Sequence, residues 1–227
     1  MIDPRLLAFL SELKQNNNKE WFNPRKAEYK SLHQAFVEEL ESLAQEIAFF
    51  DQAVADHLSD PAAVKVFRIY RDVRFSKNKE PLKTTISGYI SAGSERPAYY
   101  LQVEPGGNFA GGGIYRPSSP ALRAIRAEIA ETYEDLRAIL HSPAFREVYP
   151  QGLDRNLVLK TAPRGYGVDH PAIEFLRLTS FTVLRPFSDQ EVVSEGFREE
   201  LMKTFEAQYP LHAYLDKALR RLDEAAL

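Results

Sequence analysis

The hydrophobic periodicity of the chain changes twice along its length, and this change limits the fold more than any other feature. Apolar residues between Leu32 and Phe50 recur at steps of three and four, which is typical of one buried face of an α-helix. From residue 64 to residue 116, short apolar or alternating runs are separated by turn-forming residues, as in antiparallel strands. A second helical stripe runs from Leu122 to Leu140. Helices followed by strands and then by helices predict an α+β fold.

The predicted fold is a single α+β domain over residues 1–227. An antiparallel β-meander of about 4–5 strands packs with N-terminal and C-terminal helices. Residues 3–56 are predicted to be helical, 64–116 to be mainly strands, and 118–225 to be helical with one strand. The predicted strands are 64–75, 82–90, 98–103, 109–115 and 180–184, and the last one or two helices cover about 189–207 and 211–225.

The composition excludes several classes of protein. The chain has no cysteine, which rules out a disulfide scaffold, a thiolate zinc site, an iron–sulfur cluster and a cysteine nucleophile. The N-terminal residues lack the pattern of a secretory signal peptide, and no stretch approaches the ~20 apolar residues that span a bilayer. We therefore expect a cytoplasmic protein that does not contact a membrane.

Residues 65–83 form a strongly basic block in a chain that is acidic overall. Seven lysines and arginines stand against two acids there, whereas the whole chain carries a net charge of −3. If the segment is a strand, Arg71 falls on the apolar face, and Arg68 and Arg74 fall on the other face beside Asp72. If it is a helix, the three arginines share one side at three-residue steps. Either geometry therefore brings arginine side chains close together.

Three interpretations of this block remain open. The arginines can form an internal salt-bridge network, a site for an anion or phosphate, or a surface that docks a protein. Arginine forks bind planar oxyanions in bidentate fashion, which suits the second interpretation. Nucleic acid is a special case of it that needs a wider basic surface with interleaved aromatic residues. Only Phe67, Tyr70 and Phe75 lie near in the sequence.

Five glycines lie between Pro105 and Gly113. The segment is neither a P-loop nor a dinucleotide-binding turn, because it lacks the spacing of both motifs. Gly111, Gly112 and Gly113 fall inside a predicted strand, where glycine is costly. Their presence predicts the close approach of a bulky side chain, another backbone or a ligand.

The loop over residues 161–171 carries a second group of candidate residues. Asp169 or His170 is expected to cap a helix that begins at Pro171. His170 and Glu174 are four residues apart, a spacing that can suit a metal, but no third ligand stands nearby, so we predict no metal site and no cofactor. His170 is the best candidate for proton transfer because its ordinary pKa, near 6.5, is closest to neutrality.

Six blocks of the sequence together carry a resemblance to a known family, and they cover residues 9–22, 67–79, 81–84, 99–101, 111–113 and 159–171. These blocks resemble a bacterial family known as domain of unknown function 2461. The family commonly has a tyrosine where this chain has Leu82 and an aspartate where it has Asn78, and the second change removes a carboxylate from the basic loop. The resemblance implies a single-domain cytoplasmic protein and no known activity, cofactor or catalytic residue.

The function that these patterns favour is an arginine-rich site for an anionic or phosphorylated ligand, with catalysis left open. The first alternative is a non-enzymatic interaction module or homodimer, in which the acidic window over residues 31–60 meets the basic block. The second alternative is nucleic-acid binding. His170 and Asp72 are the candidate catalytic residues. The candidate ligand-binding residues are Arg68, Arg71, Arg74, Lys77, Lys83, Gly111, Gly112, Gly113, Arg164 and His170.

Overall fold

The computed structural model of the protein describes residues 2–72, 74 and 79–224. Five strands form one antiparallel sheet whose strand order follows the chain, and helices from both ends pack with it, so the predicted α+β class and meander are confirmed. The strands are β1 (Val64–Val66), β2 (Ile86–Ser91), β3 (Ala98–Val103), β4 (Asn108–Ile114) and β5 (Phe181–Phe187). The helices are α1 (Pro4–Gln15), α2 (Lys19–Phe22), α3 (Lys26–Ile47), α4 (Gln52–Ala55), α5 (Ser119–Glu131), α6 (Tyr133–His141), α7 (Pro143–Val148), α8 (Ile173–Leu176), α9 (Asp189–Val192) and α10 (Phe197–Glu224), with a 3-10 turn at Asn23–Arg25.

Within this fold the residues group into two compact units. The first unit comprises Met1–Ile90, Tyr100–Ala110 and Pro186–Lys203. Helix α3 buries the apolar stripe that its periodicity predicts, and the side chain of Leu40 lies so close to Gly88 of β2 that a Cβ there would collide with it. This close contact explains why a glycine stands in the middle of β2.

The acidic window of residues 31–60 has structural partners inside the first unit. Glu39 and Glu46 accept hydrogen bonds from the guanidinium of Arg198, at 2.8 Å to Nη1 and 2.8 Å to Nε respectively. Asp51 is buried and caps α4 by accepting hydrogen bonds from the backbone N–H groups of Ala53 and Val54. Part of the acidic charge therefore orients helices rather than facing solvent alone.

The second unit comprises Ser91–Tyr99, Gly111–Arg185 and Thr204–Leu227. Its apolar core includes Ile125, Phe145, Phe181 and Leu215, which are all at most 1% exposed. The sequence leaves open one or two C-terminal helices, and the structure shows that α10 continues through Pro210 for 28 residues in all. A proline inside a helix costs about 3 kcal/mol, and the long buried stripe of α10 offsets this cost.

Strand β1 is shorter than the predicted strand 64–75. It ends at Val66, and an isolated antiparallel bridge then joins Tyr70 to Leu82. The predicted separation of faces still holds around the bridge, since Ile69 is buried and Tyr70 is exposed. Among the helices of the described residues, none combines the length and apolar character needed to cross a membrane.

Candidate anion-binding site

The bridge between Tyr70 and Leu82 builds the centre of the basic block. The backbone N–H of Arg71 donates to the carbonyl of Pro81 at 2.9 Å, and the N–H of Lys83 donates to the carbonyl of Ile69 at 2.7 Å. Ile69 and Leu82 are buried, which anchors both sides of the bridge in the first unit. Cations that are well separated in the sequence are therefore held side by side.

Asn17 fixes the outer side of this bridge. Its side-chain amide donates to the carbonyl of Leu82 at 2.9 Å, and its Oδ1 accepts from the N–H of Leu82 at 3.1 Å. The side chain thus replaces the strand that would otherwise pair with this edge, and it satisfies both backbone groups of Leu82. Asn17 is a positioning residue for Lys83, which follows Leu82 directly.

Arg68, Arg71 and Lys83 form a group of neighbouring positive charges, which we call the cation cluster. Burial lowers the pKa of the Lys83 ammonium, and repulsion by Arg68 and by Arg71 lowers it further. Among the described residues, no carboxylate lies within ion-pair distance of Arg68 or Lys83, and Arg71 faces Glu80 at 3.9 Å. The cluster therefore keeps a net positive charge that these residues do not neutralise.

Arg71 also has an unmet hydrogen-bonding need. Its Nε is buried and has no hydrogen-bond partner among the residues that the structure describes, while its side chain as a whole is 28% exposed. Guanidinium cannot lose its proton at any physiological pH, so the unpaired donor costs about 1–3 kcal/mol or more. Glu80, at 3.9 Å from Nη2, compensates the charge of Arg71 only in part.

Arg74 differs from the cation cluster because it has its own counter-ion. Its Nε and Nη2 donate to the two oxygens of Asp72 at 3.0 and 2.7 Å, in a bidentate pair on the surface. These hydrogen bonds lower the pKa of the Asp72 carboxyl, and Arg68 lowers it further. Asp72 thus orients the guanidinium of Arg74. The candidate Lys77 lies outside the described residues.

Gly111, Gly112 and Gly113 lie in β4 in the second unit, and all three are buried. A Cβ on each would collide with a strand carbonyl, from Val183, Ala98 and Phe181 in turn. Gly113 has in addition a φ of +112°, which disfavours any other residue. Among the three reasons predicted for these glycines, the close approach of another backbone accounts for every one of them.

Arg164 and His170 also belong to the second unit. Arg164 is exposed, and the Nδ1 of His170 accepts a hydrogen bond from the N–H of Ala172 at 3.1 Å. The predicted cap is wrong, because α8 begins at Ile173 instead of Pro171 and no side chain of the described residues caps it. Glu174 pairs with Arg155 at 2.7 Å. In the part of the chain that the structure describes, no group of three or more histidine, aspartate or glutamate side chains is placed to hold a metal ion.

A surface cavity of about 330 Å³ lies beside α3 in the first unit. The charged residues that line it are Glu41 and Asp60, and its floor includes Leu58 and Val64. An anion would be repelled there, so this cavity does not compete with the cation cluster as an anion site.

The fold and the site together define an α+β protein with an incompletely neutralised cation cluster on a short antiparallel bridge. The chain belongs to the family described as "Conserved hypothetical protein (DUF2461)", which matches residues 5–214. This match confirms the resemblance that the sequence blocks indicate. Searches of the curated proteins and of the solved structures found no match.

Sequence reasoning missed the residues that complete the site from a distance. No local sequence pattern marks Asn17, although its side chain holds a backbone 65 positions away. The ring beside Lys83 is that of Phe67, which belongs to the basic block, but Phe67 in turn contacts Tyr89 of β2, which lies outside the block. In β3, Tyr100 and Gln102 alternate with buried residues. This alternation is the signal that could have placed Tyr100 and Gln102 on an accessible face.

Proposed function

We propose that the protein binds an anionic or phosphorylated ligand at the cation cluster. The observation that carries the proposal is the proximity of Arg68 and Arg71 to Lys83: burial lowers the pKa of the Lys83 ammonium, and repulsion by the two guanidinium groups lowers it further. Among the described residues, Glu80 is the one carboxylate within ion-pair distance of any of the three. Holding like charges together costs free energy in the empty protein, and a bound anion would offset that cost.

The chemistry of the cluster suits an oxyanion such as phosphate. Two guanidinium forks offer directional donors, and the lysine adds a compact charge. The unpaired Nε of Arg71 supplies a donor that gains a partner when an acceptor enters. Charge-assisted hydrogen bonds of this kind contribute about 1.5–3 kcal/mol each.

The proposal concerns binding, with no catalytic step assigned. Asp72 is engaged by Arg74, and His170 accepts from the backbone of Ala172. Each of the two candidate catalytic residues thus already has a structural role. The positive charge of the cluster itself does not depend on either of them.

Calorimetric titration with inorganic tripolyphosphate at low salt tests the proposal, since surface electrostatics are then least screened. We expect Arg68→Ala and Lys83→Met each to weaken binding about tenfold, which corresponds to about 1.4 kcal/mol. Arg74→Ala should weaken binding less, because Arg74 is paired with Asp72.

Matched controls are Arg146→Ala and Lys30→Ala, which remove an exposed arginine and an exposed lysine elsewhere on the surface. Both should bind tripolyphosphate like the wild type. No measurable binding by the wild type would refute the proposal. Equal affinity for all of these variants would refute it as well, because the binding would then come from general surface charge.

A further inference from the structure

Four aromatic side chains lie on one accessible face of the sheet in the first unit. Phe67, Tyr89, Tyr100 and Phe109 are all half-buried, whereas the residues that alternate with them, such as Leu101, are buried. Successive residues of a strand point to opposite faces, so the apolar core lies on the other side. We call this group the aromatic face.

Contacts between side chains make the aromatic face continuous across neighbouring strands. The rings of Phe67 and Tyr89 lie 5.8 Å apart, and those of Tyr100 and Phe109 are stacked at 5.4 Å. Ser87 hydrogen-bonds to Tyr100 and so links the two pairs. Since strands are about 4.8 Å apart, the face extends about 14 Å across the sheet, which is more than one aromatic ring.

The cation cluster adjoins the aromatic face through Lys83. The Nζ of Lys83 lies 5.5 Å from the centre of the Phe67 ring, and Lys65 is paired in register with Tyr89 and is exposed. Glu104 is the acid at the far end of the face, where Gln102 donates to it at 3.1 Å. Positive charge therefore borders one end of a row of aromatic rings.

We propose that the aromatic face and the cation cluster together bind single-stranded nucleic acid. Phosphates contact Arg68, Arg71 and Lys83, and bases stack on the aromatic rings, which every base can do because each has a π-face. A duplex keeps the faces of its bases covered by stacking, so it cannot use the rings. This inference rests on the proposed function for its phosphate contacts, and it adds the class of ligand.

The structure thus supplies what the sequence lacks for this interpretation. Near the basic block the sequence offers only Phe67, Tyr70 and Phe75, of which Phe75 lies outside the described residues. The sheet adds Tyr89, Tyr100 and Phe109 from three further strands. An aromatic row beside cations is the arrangement expected of a surface that binds single strands without sequence preference.

Fluorescence anisotropy with labelled oligothymidylate and oligouridylate of about 12 nucleotides tests the inference at low salt. We expect Tyr89→Leu to weaken binding about tenfold or more and to leave the affinity for tripolyphosphate unchanged, and Phe67→Leu to weaken oligonucleotide binding by a similar factor. Tyr89→Phe should bind like the wild type because it keeps the ring. Arg68→Ala should weaken the binding of both tripolyphosphate and the oligonucleotide. For the oligonucleotide it should also reduce the slope of log K against log salt by about 0.7.

The control variant is Phe49→Leu, which removes a ring that is 90% exposed elsewhere on the first unit, and it should bind normally. Circular dichroism of each variant checks that it is folded. Absence of binding to both oligonucleotides, with tripolyphosphate still bound, overturns this inference and leaves the anion site standing. Equal affinity for a duplex of the same length also overturns it. If tripolyphosphate is not bound either, the proposed function fails too.

Discussion

Each of the two compact units holds a group of basic residues, and the two groups differ in whether a carboxylate neutralises them. In the second unit, the carboxylate of Glu128 is 1% exposed and is matched by two cations, with Lys217 Nζ at 2.8 Å and Arg221 as its second partner. In the first unit, Arg68 and Lys83 have no such carboxylate among the described residues. The presence of a counter-ion, and not the number of basic residues, separates a structural ion pair from a candidate binding site.

Each unit also contains one buried nitrogen without a hydrogen-bond partner among the described residues, Nε of Arg71 and Nε2 of His212. His212 packs on the ring of Tyr99 with the ring centres 4.3 Å apart, and burial lowers its pKa to about 3. It therefore stays neutral at pH 7. Arg71 cannot lose its charge in this way. The neutral histidine therefore tolerates a buried nitrogen without a hydrogen-bond partner. For the charged arginine, the missing partner favours the binding of an external anion.

The largest effect is expected when the ion pairs of the second unit are broken. The double variant Lys217→Met and Arg221→Met leaves the carboxylate of Glu128 buried without a cation. We expect the free energy of unfolding to fall by about 3 kcal/mol, as for other broken buried pairs. Urea denaturation at pH 7 measures the change.

The matched variant in the first unit is Arg68→Met with Lys83→Met. It removes two cations that repel each other, so the free energy of unfolding should change by less than about 0.5 kcal/mol or rise. Equal destabilisation by the two double variants would contradict the contrast between the units, because the first pair would then also be neutralised within the fold.

A smaller effect is expected for the acid sensitivity of the second unit. Below pH 6.5 the unfolded chain protonates His212, whereas the folded chain does so only near pH 3, so stability falls as the pH decreases through this window. At pH 5 this amounts to about 2 kcal/mol. Urea denaturation at pH 7 and pH 5 should show a smaller acid loss for His212→Leu than for the wild type. The same loss in both would show that His212 does not titrate as its burial implies.

The sequence predicts the elements of the fold better than the site. The stripe of α3 and the order of the strands follow from local periodicity, and both are confirmed. The sequence does not decide whether a helix continues through Pro210, because the local signal of proline is strong and the burial that overrides it is tertiary. Local pattern decides most elements, and packing decides the exceptions.

The candidate site was predictable only in part, for a similar reason. The sequence places Arg68, Arg71 and Lys83 in one basic block, but it cannot show that Arg74 has a counter-ion, or that Arg68 and Lys83 lack one among the described residues. The clamp by Asn17 depends on a contact over 65 positions. Pairings across such distances leave no periodic signal, so the neutralised and the unneutralised cations look alike in the sequence.

The smallest effect concerns the pH dependence of anion binding in the first unit. Because its pKa is lowered, Lys83 loses its charge below the ordinary lysine value of 10.5, and the affinity for an anion should fall as the pH rises through that lowered pKa. Sulfate is a suitable probe since its own charge stays constant over this range. Loss of the lysine charge should weaken binding by up to about tenfold.

The variant Lys83→Arg separates this titration from other effects of alkaline pH. Arginine keeps its charge at all of these pH values, so sulfate affinity in the variant should stay constant where that of the wild type declines. Calorimetric titrations at a series of pH values from neutral to alkaline give both curves. If the sulfate affinity declined in parallel in the wild type and in Lys83→Arg, another group would be titrating. The lowered pKa of Lys83 would then not set the cation cluster apart from the neutralised cations.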